Sequence, residues 1–276
     1  MAAILDRATR QQPEWFHSWF DSPHYQQLYA HRDEAEAERF LDGLMAQLKP
    51  HPGAPVLDLG CGTGRHSKYL ASKGLQVTGL DLAAGSIASA RKCQHRLLQF
   101  RQHDMRVPFG VNAFDYVFNF FTSFGYFDEP DEHLAVVRNI AASLRPGGRL
   151  MLDYFNSRYV AFHLKSDEVK ELGGTIYLLQ RWTDGRYFFK RIVVVDGIGE
   201  SREYVERVAR FTVADFERMF AMYGLSIETV YGDYALTAYD ADASPRMILV
   251  ARKQRPAPIA FTYETGSFAR GSAFPA

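Results

Sequence analysis

Apolar positions along the chain change their spacing several times, and each change marks an element. Phe40, Leu41, Leu44, Met45 and Leu48 recur at helical spacing behind an acidic start at Asp33, Glu34, Glu36 and Glu38. Pro50, Pro52 and Pro55 end that helix. Short apolar runs then alternate with helical patterns. Strands are expected at 56–59, 75–80, 97–101, 114–120 and 149–154, and helices at 65–73, 83–96 and 131–144. Gly74 closes the first of these helices, and Arg145-Pro146-Gly147-Gly148 stops the last. Such alternation predicts an α/β fold whose parallel sheet is covered on both faces.

Beyond Phe155 the rhythm changes. Residues 175–211 read as three strands without intervening helices, with Asp184-Gly185 and Asp196-Gly197 at hairpin turns. Val213, Phe216, Met219 and Phe220 share one helical face, and 225–231 with 246–251 form a closing antiparallel pair. The segment before Asp33 is dense in aromatic residues, from Trp15 to Tyr29. The expected division is an N-terminal helical segment at 1–49, a nucleoside-binding core at 50–155 and an antiparallel insertion at 156–212. The end of the core sheet at 213–253 and an irregular tail at 254–276 complete it.

Composition narrows the function classes. The 276 residues are 47% hydrophobic and 23% charged, an ordinary globular balance. Lys and Arg number 32 and so do Asp and Glu, so no global field favours nucleic acid or an anionic membrane. Cys61 and Cys93 offer no disulfide framework, which fits a reducing cytoplasm. Asp6, Arg7 and Arg10 interrupt the apolar start before a signal peptide can form, and no apolar run is long enough to span a bilayer.

The chemistry concentrates after the first strand. Gly60, Gly62 and Gly64 let a ligand approach the backbone, and the helix from Arg65 aims free N–H groups at it. Asp81 ends the second strand, where an acid can accept both hydrogen bonds of a ribose diol. A dinucleotide loop would place a third glycine at 65; the large Arg65 stands there and argues against a dehydrogenase. No Walker loop occurs. Asp58 adds an anion just before the loop, placed to orient it or to favour a cationic ligand. Cys61 and His66 alone do not make a metal site, and no metal is expected. Tyr126 and Tyr154 follow strand ends, where each either meets a substrate or packs its ring. Asn156 reads as a helix cap, while Asp233 and Arg246 either border a pocket or brace each other.

These residues resemble a known family. Val56-Leu57-Asp58-Leu59-Gly60-Cys61-Gly62-Thr63-Gly64 is similar to the first motif of class I S-adenosylmethionine (SAM)-dependent methyltransferases. His103-Asp104-Met105, Phe114 to Asn119 and Leu144-Arg145-Pro146-Gly147-Gly148 are similar to their later motifs. The resemblance implies a Rossmann-like seven-stranded sheet with an antiparallel last strand, and SAM as cofactor. It implies a cofactor set of Asp58, Gly60, Cys61, Gly62, Gly64, Asp81, Leu82, Asp104, Met105 and Asn119. Phe121-Thr122-Ser123-Phe124-Gly125-Tyr126 resembles the matching loop of amino-sugar N,N-dimethyltransferases. As in that group and in glycine N-methyltransferase, the N-terminal aromatic segment would be a lid, with Tyr29 and Arg32 at the methionine end. The insertion would be a substrate lid or a homodimer contact.

The expected reaction is methyl transfer to nitrogen or oxygen of a small-molecule acceptor. The leaving thioether is neutral, so alignment and exclusion of water matter more than acid catalysis. A base is needed only for a nucleophile that arrives protonated. Tyr126 and Tyr154 are the candidate catalytic residues. Base methylation is disfavoured because Asn119-Phe120-Phe121-Thr122 lacks the [DN]-P-P-[YF] pattern that grips a flipped base. A protein or RNA substrate and a silent SAM-binding regulator are the alternatives.

Overall fold

The computed structural model describes residues 14–29, 34–197 and 199–254. Arg32 and the tail beyond Gln254 lie outside them. In chain order the helices are α1 (Trp15–Phe20), α2 (Pro23–Leu28), α3 (Glu34–Leu48), α4 (Arg65–Ser72), α5 (Ala84–Ala90), α6 (Pro130–Ser143), α7 (Ser157–Phe162) and α8 (Val213–Ala221). The strands of the main sheet are β1 (Pro55–Leu59), β2 (Gln76–Asp81), β3 (Leu98–Gln102), β4 (Phe114–Asn119), β5 (Leu144–Phe155), β10 (Leu225–Tyr231) and β11 (Arg246–Lys253). Their order is β10-β11-β5-β4-β1-β2-β3. The pairs among β1 to β5 are parallel, and β11 runs antiparallel to both β5 and β10.

The central strands are nearly continuous apolar runs because both faces are covered. Val56, Leu57, Val117, Leu150, Met151 and Leu152 are all buried. One face packs on α6 and α8 through Val136, Ile140, Phe216 and Phe220. The other packs on α3, α4 and α5 through Leu41, Leu44, Leu70 and Ile87. Phe100 of β3 decides how closely α4 approaches. A Cβ on Gly64, whose φ is +81°, would lie 2.4 Å from the Phe100 ring, and one on Gly79 would lie 2.5 Å from it. Glycine at both places lets the ring fill the seam between helix and sheet.

The insertion departs from expectation. It is a four-stranded antiparallel sheet in the order β6-β7-β8-β9, not three-stranded. The additional strand is β6 (Asp167–Leu172), beside β7 (Thr175–Thr183), β8 (Tyr187–Val195) and β9 (Ser201–Ala209). The sequence of β6, Asp-Glu-Val-Lys-Glu-Leu, shows no apolar alternation because it is a largely exposed edge with no core face to encode. The inner face of this sheet is explicit in the sequence. Tyr177, Leu179, Ile192 and Val194 are buried against Trp19 and Leu28 of the first two helices. Helices α1 and α2 therefore cover the insertion.

Helix α6 contributes a buried histidine. His133 packs among Phe124, Phe127 and Phe211, with ring centroids 5.1–5.4 Å apart. Its Nε2 is buried without a hydrogen-bond partner. Burial disfavours the imidazolium and lowers the His133 pKa from 6.5 to about 4. Above pH 6.5 the ring is neutral folded or unfolded. As the pH falls from 6.5 towards 4, only the unfolded chain takes the proton, so this histidine subtracts stability across that window. The loss approaches about 3 kcal/mol at its lower end. Urea melts at pH 7 and 4.5 are expected to show a smaller acid destabilisation for His133→Phe than for wild type. Equal losses in both proteins would remove this assignment.

Candidate functional site

A cleft of about 530 Å³ opens at the carboxyl ends of the parallel strands, where open α/β sheets bind ligands. Its floor is the loop after β1. Leu80 O accepts hydrogen bonds from Gly60 N and Cys61 N at 2.7 and 3.0 Å. Gly62 has φ +54° and no atom within 4 Å of where a Cβ would stand, so its backbone faces open space. Asp81 ends β2 beside it. Its two oxygens accept from Gly62 N at 2.8 Å and from Ala83 N at 2.9 Å, tying the loop to the turn after β2. Burial raises the Asp81 pKa.

Asp58 lies under the loop and is 1% exposed. Burial raises its pKa to about 7, against the Ser67 hydroxyl that donates to Oδ2 at 2.5 Å. Its Oδ1 has no hydrogen-bond partner. The loop after β4 forms the opposite wall. Phe121 and Thr122 hold φ values of 53° and 60°, left-handed backbone in two residues that are not glycine. The fully buried Asp153 of β5 holds them there. Its Oδ2 accepts from Phe121 N at 2.9 Å and from the Tyr234 hydroxyl at 3.1 Å, and its carbonyl accepts from Thr122 N at 2.9 Å. Arg246 of β11 donates to Asp153 Oδ1 from Nε at 2.8 Å and from a terminal nitrogen at 2.5 Å, and reaches Thr122 Oγ1 at 3.1 Å.

The candidate residues divide into two groups. Tyr29, Gly60, Cys61, Gly62, Asp81, Leu82, Asp104, Met105 and Tyr126 all line the cleft. Asp104 is held by Arg106, which also binds Glu14 ahead of α1 and Glu132 of α6. Tyr126 stands 5.4 Å from Trp15 and 5.1 Å from Phe20 between ring centroids, and its hydroxyl donates to Thr122 O. Asp58, Gly64, Asn119 and Tyr154 do not line the cleft. Gly64 admits Phe100, as described above. The Asn119 amide donates to Leu59 O at 2.8 Å and Ser123 O at 3.3 Å, bracing β1 against the β4 loop. Tyr154 corrects the expectation of a substrate contact. It is wholly buried, and its hydroxyl donates to Ala209 O at 2.6 Å, which fastens β9 to the core.

Two further readings resolve. Asn156 caps α7 by accepting from Arg158 N. Asp233 does not pair with Arg246; it accepts from Ala235 N and Thr237 within its own turn. Sequence reasoning missed Asp153 and Glu206, and it weighed Arg65 only against a dinucleotide and His66 only as a metal ligand, although both line the cleft. His66 stacks on Phe120 at 4.2 Å, and the Arg65 guanidinium lies 5.0 Å from the Phe121 ring centre. Asp153, a lone acid inside the apolar run Leu150 to Phe155, carried a signal that was available. Among the described residues no group of three or more His, Cys, Asp or Glu is placed to hold a metal ion.

Residues 56–148 match a family described as methyltransferase domain. The chain is 28% identical over 225 residues to a cypemycin N-terminal methyltransferase of Streptomyces, covering 76% of this chain and 89% of that one. It is 33% identical over 149 residues to a ubiquinone biosynthesis O-methyltransferase of Xanthomonas campestris, covering 51% of this chain and 57% of that one. Among solved structures it resembles CalS10, an amino pentose methyltransferase of Micromonospora echinaspora with SAM bound. That likeness has 26% identity, a TM-score of 0.64 and coverage of 84% and 98%. The protein is a SAM-dependent methyltransferase.

The methyltransferase's cleft fits this cofactor. Its volume suits a nucleoside-sized ligand, Gly62 presents backbone to open space, and Asp81 stands beside it at the strand end. Asp81→Asn is expected to weaken SAM binding about tenfold or more, since an amide cannot replace both acceptor oxygens. Isothermal titration measures this; unchanged affinity would remove Asp81 from the cofactor site.

Proposed function

We propose that this methyltransferase methylates a nitrogen or oxygen of a small-molecule acceptor. The observation that carries the reading is the room beyond the glycine loop. Helices α1 and α2, the β4 loop and β9 surround it with Trp15, Phe20, Tyr25, Tyr126 and Val208. A reacting centre covered by the protein's own helices suits a compact acceptor better than a duplex or a folded protein. The relatives support both atoms: one is named for an N-terminus, one for oxygen and one for an amino pentose.

In this reading Asp81 receives the ribose, Leu82, Asp104 and Met105 surround the adenine, and the backbone at 60–62 approaches the methionine part. Bound SAM supplies an electrophilic methyl group on a sulfonium. The residues of the chain align the acceptor and exclude water. Asp153 and Arg246 act by fixing the loop that carries Tyr126. Tyr126 positions through its ring, which lines the cleft, while its hydroxyl proton is committed to Thr122 O.

Incubation with methyl-labelled SAM and a panel of small amines, amino sugars and phenols, beside protein and RNA fractions, tests the proposal. Label is expected in a small molecule. Label confined to polypeptide or RNA, or no transfer to any fraction, would overturn it.

We also propose a homodimer through the insertion. Ile176, Leu178 and Trp182 lie 39–42% exposed on β7 and supply apolar surface for it. Sedimentation is expected to show a dimer that Leu178→Glu dissociates; a monomer at every concentration would exclude it.

A further inference from the structure

Glu206 of β9 is the carboxylate that the aromatic room presents, and its hydrogen bonds are unevenly divided. Oε1 accepts from the Trp19 indole at 2.7 Å and from the Tyr29 hydroxyl at 2.9 Å. Among the described residues the cation that faces Oε2 is the Lys190 ammonium, at 3.8 Å, an ion-pair distance that is beyond hydrogen-bond reach. Lys190 instead donates to the Tyr29 hydroxyl at 2.7 Å, and it is not among the residues that line the cleft. Glu206 does line it, with its side chain 15% exposed. An indole and a phenol thus hold one oxygen in place, while the other keeps open acceptor capacity at the cleft wall.

The surroundings of that oxygen select for charge. Tyr29, Tyr25, Phe20, Tyr126 and Trp15 form a continuous chain of rings, with successive centroids 4.9–5.4 Å apart. Ring faces attract a cation through their quadrupole, and a carboxylate adds a charge-assisted hydrogen bond. A neutral hydroxyl would gain only the weaker, neutral-donor bond. Among the described residues Lys190 is the cation beside Glu206; its ammonium lies 4.8 Å from the Tyr29 ring centre outside the cleft lining, and burial lowers its pKa.

We propose that Glu206 is a specificity-determining residue that receives the acceptor as a protonated amine. This rests on the small-molecule reading above and narrows it to nitrogen. In the transfer, the ammonium gives one proton to Glu206 Oε2, and the freed nitrogen pair forms the N–C bond. The C–S pair stays on sulfur as the thioether, and the proton leaves to solvent with the methylated ammonium product. Charge balances: two cations enter, and the methylammonium and a proton leave.

The test uses benzylamine and benzyl alcohol as matched probes, titrated into the protein saturated with S-adenosylhomocysteine. Wild type is expected to bind the amine at least tenfold more tightly than the alcohol. Glu206→Gln keeps the shape and an Oε1 that still accepts from Trp19 and Tyr29; it is expected to lose the preference while retaining S-adenosylhomocysteine affinity. Lys190→Met removes the nearby cation and is expected to strengthen amine binding without changing alcohol binding, a readout that survives if the Gln variant folds poorly. Absent amine binding, equal binding of both probes, or an undiminished preference in Glu206→Gln overturns the assignment. Label transfer to alcohols only would sink this inference and leave the small-molecule reading standing.

Discussion

A carboxylate buried beneath the β4 loop sets the geometry of the catalytic end of this enzyme. Taking Asp153 out of water costs several kcal/mol, which its partners offset only by saturating both oxygens. They do so from three directions: Arg246 on β11, Tyr234 before it, and the backbone of Phe121. The satisfied acid in turn stabilises two left-handed residues that would otherwise relax. Ser123 then stands where a Cβ on Gly60 would be 2.6 Å away, so the β4 loop and the glycine loop pack directly on each other. The floor of the cleft and its opposite wall are two sides of one hydrogen-bonded block.

The core fold was legible because its signals are local. Apolar runs bounded by glycine or proline gave the parallel strands, and the order strand, glycine loop, helix, strand, acid pointed to a nucleoside cofactor from residues close in sequence. The contacts that shape the acceptor side are remote. Asp153 and Arg246 are 93 positions apart, and Trp19 and Glu206 are 187 apart. Spacing does not encode such pairs, so the nearby Asp233 was weighed as a partner for Arg246 and the remote Asp153 was not. Edge strand β6 escaped because Leu172, at its end, is its one residue packed on the described apolar clusters, too little to impose a period. Tyr154 misled for a related reason: a strand end near the cleft is necessary for contact with a ligand, but side chains alternate, and this one points into the core.

The N-terminal helices are short and gain their stability from what they cover. Helix α1 has no side-chain cap, and six residues make a marginal helix in isolation. Trp19 nevertheless is fully buried against the insertion, and Arg106 clamps Glu14 at the other end. Polar contacts, among them Trp19 to Glu206 and Glu14 to Arg106, therefore join the cover to the insertion and to the core. A change at either contact therefore reaches the cover as well as the wall of the cleft.

The antiparallel placement of β11 has a consequence for how the molecule comes into being. Strands β1 to β5 pair with near neighbours and can assemble as the chain emerges, amino end first. Strand β11 lies between β5 and β10 and brings the Arg246 cation to an acid whose other partners, Phe121 N and the Tyr234 hydroxyl, are neutral. A chain paired only through β5 carries the whole glycine loop, yet its β4 loop lacks the Arg246 brace. The strand that closes the sheet is thus the one that locks the cleft wall, so sheet closure and assembly of the site are coupled.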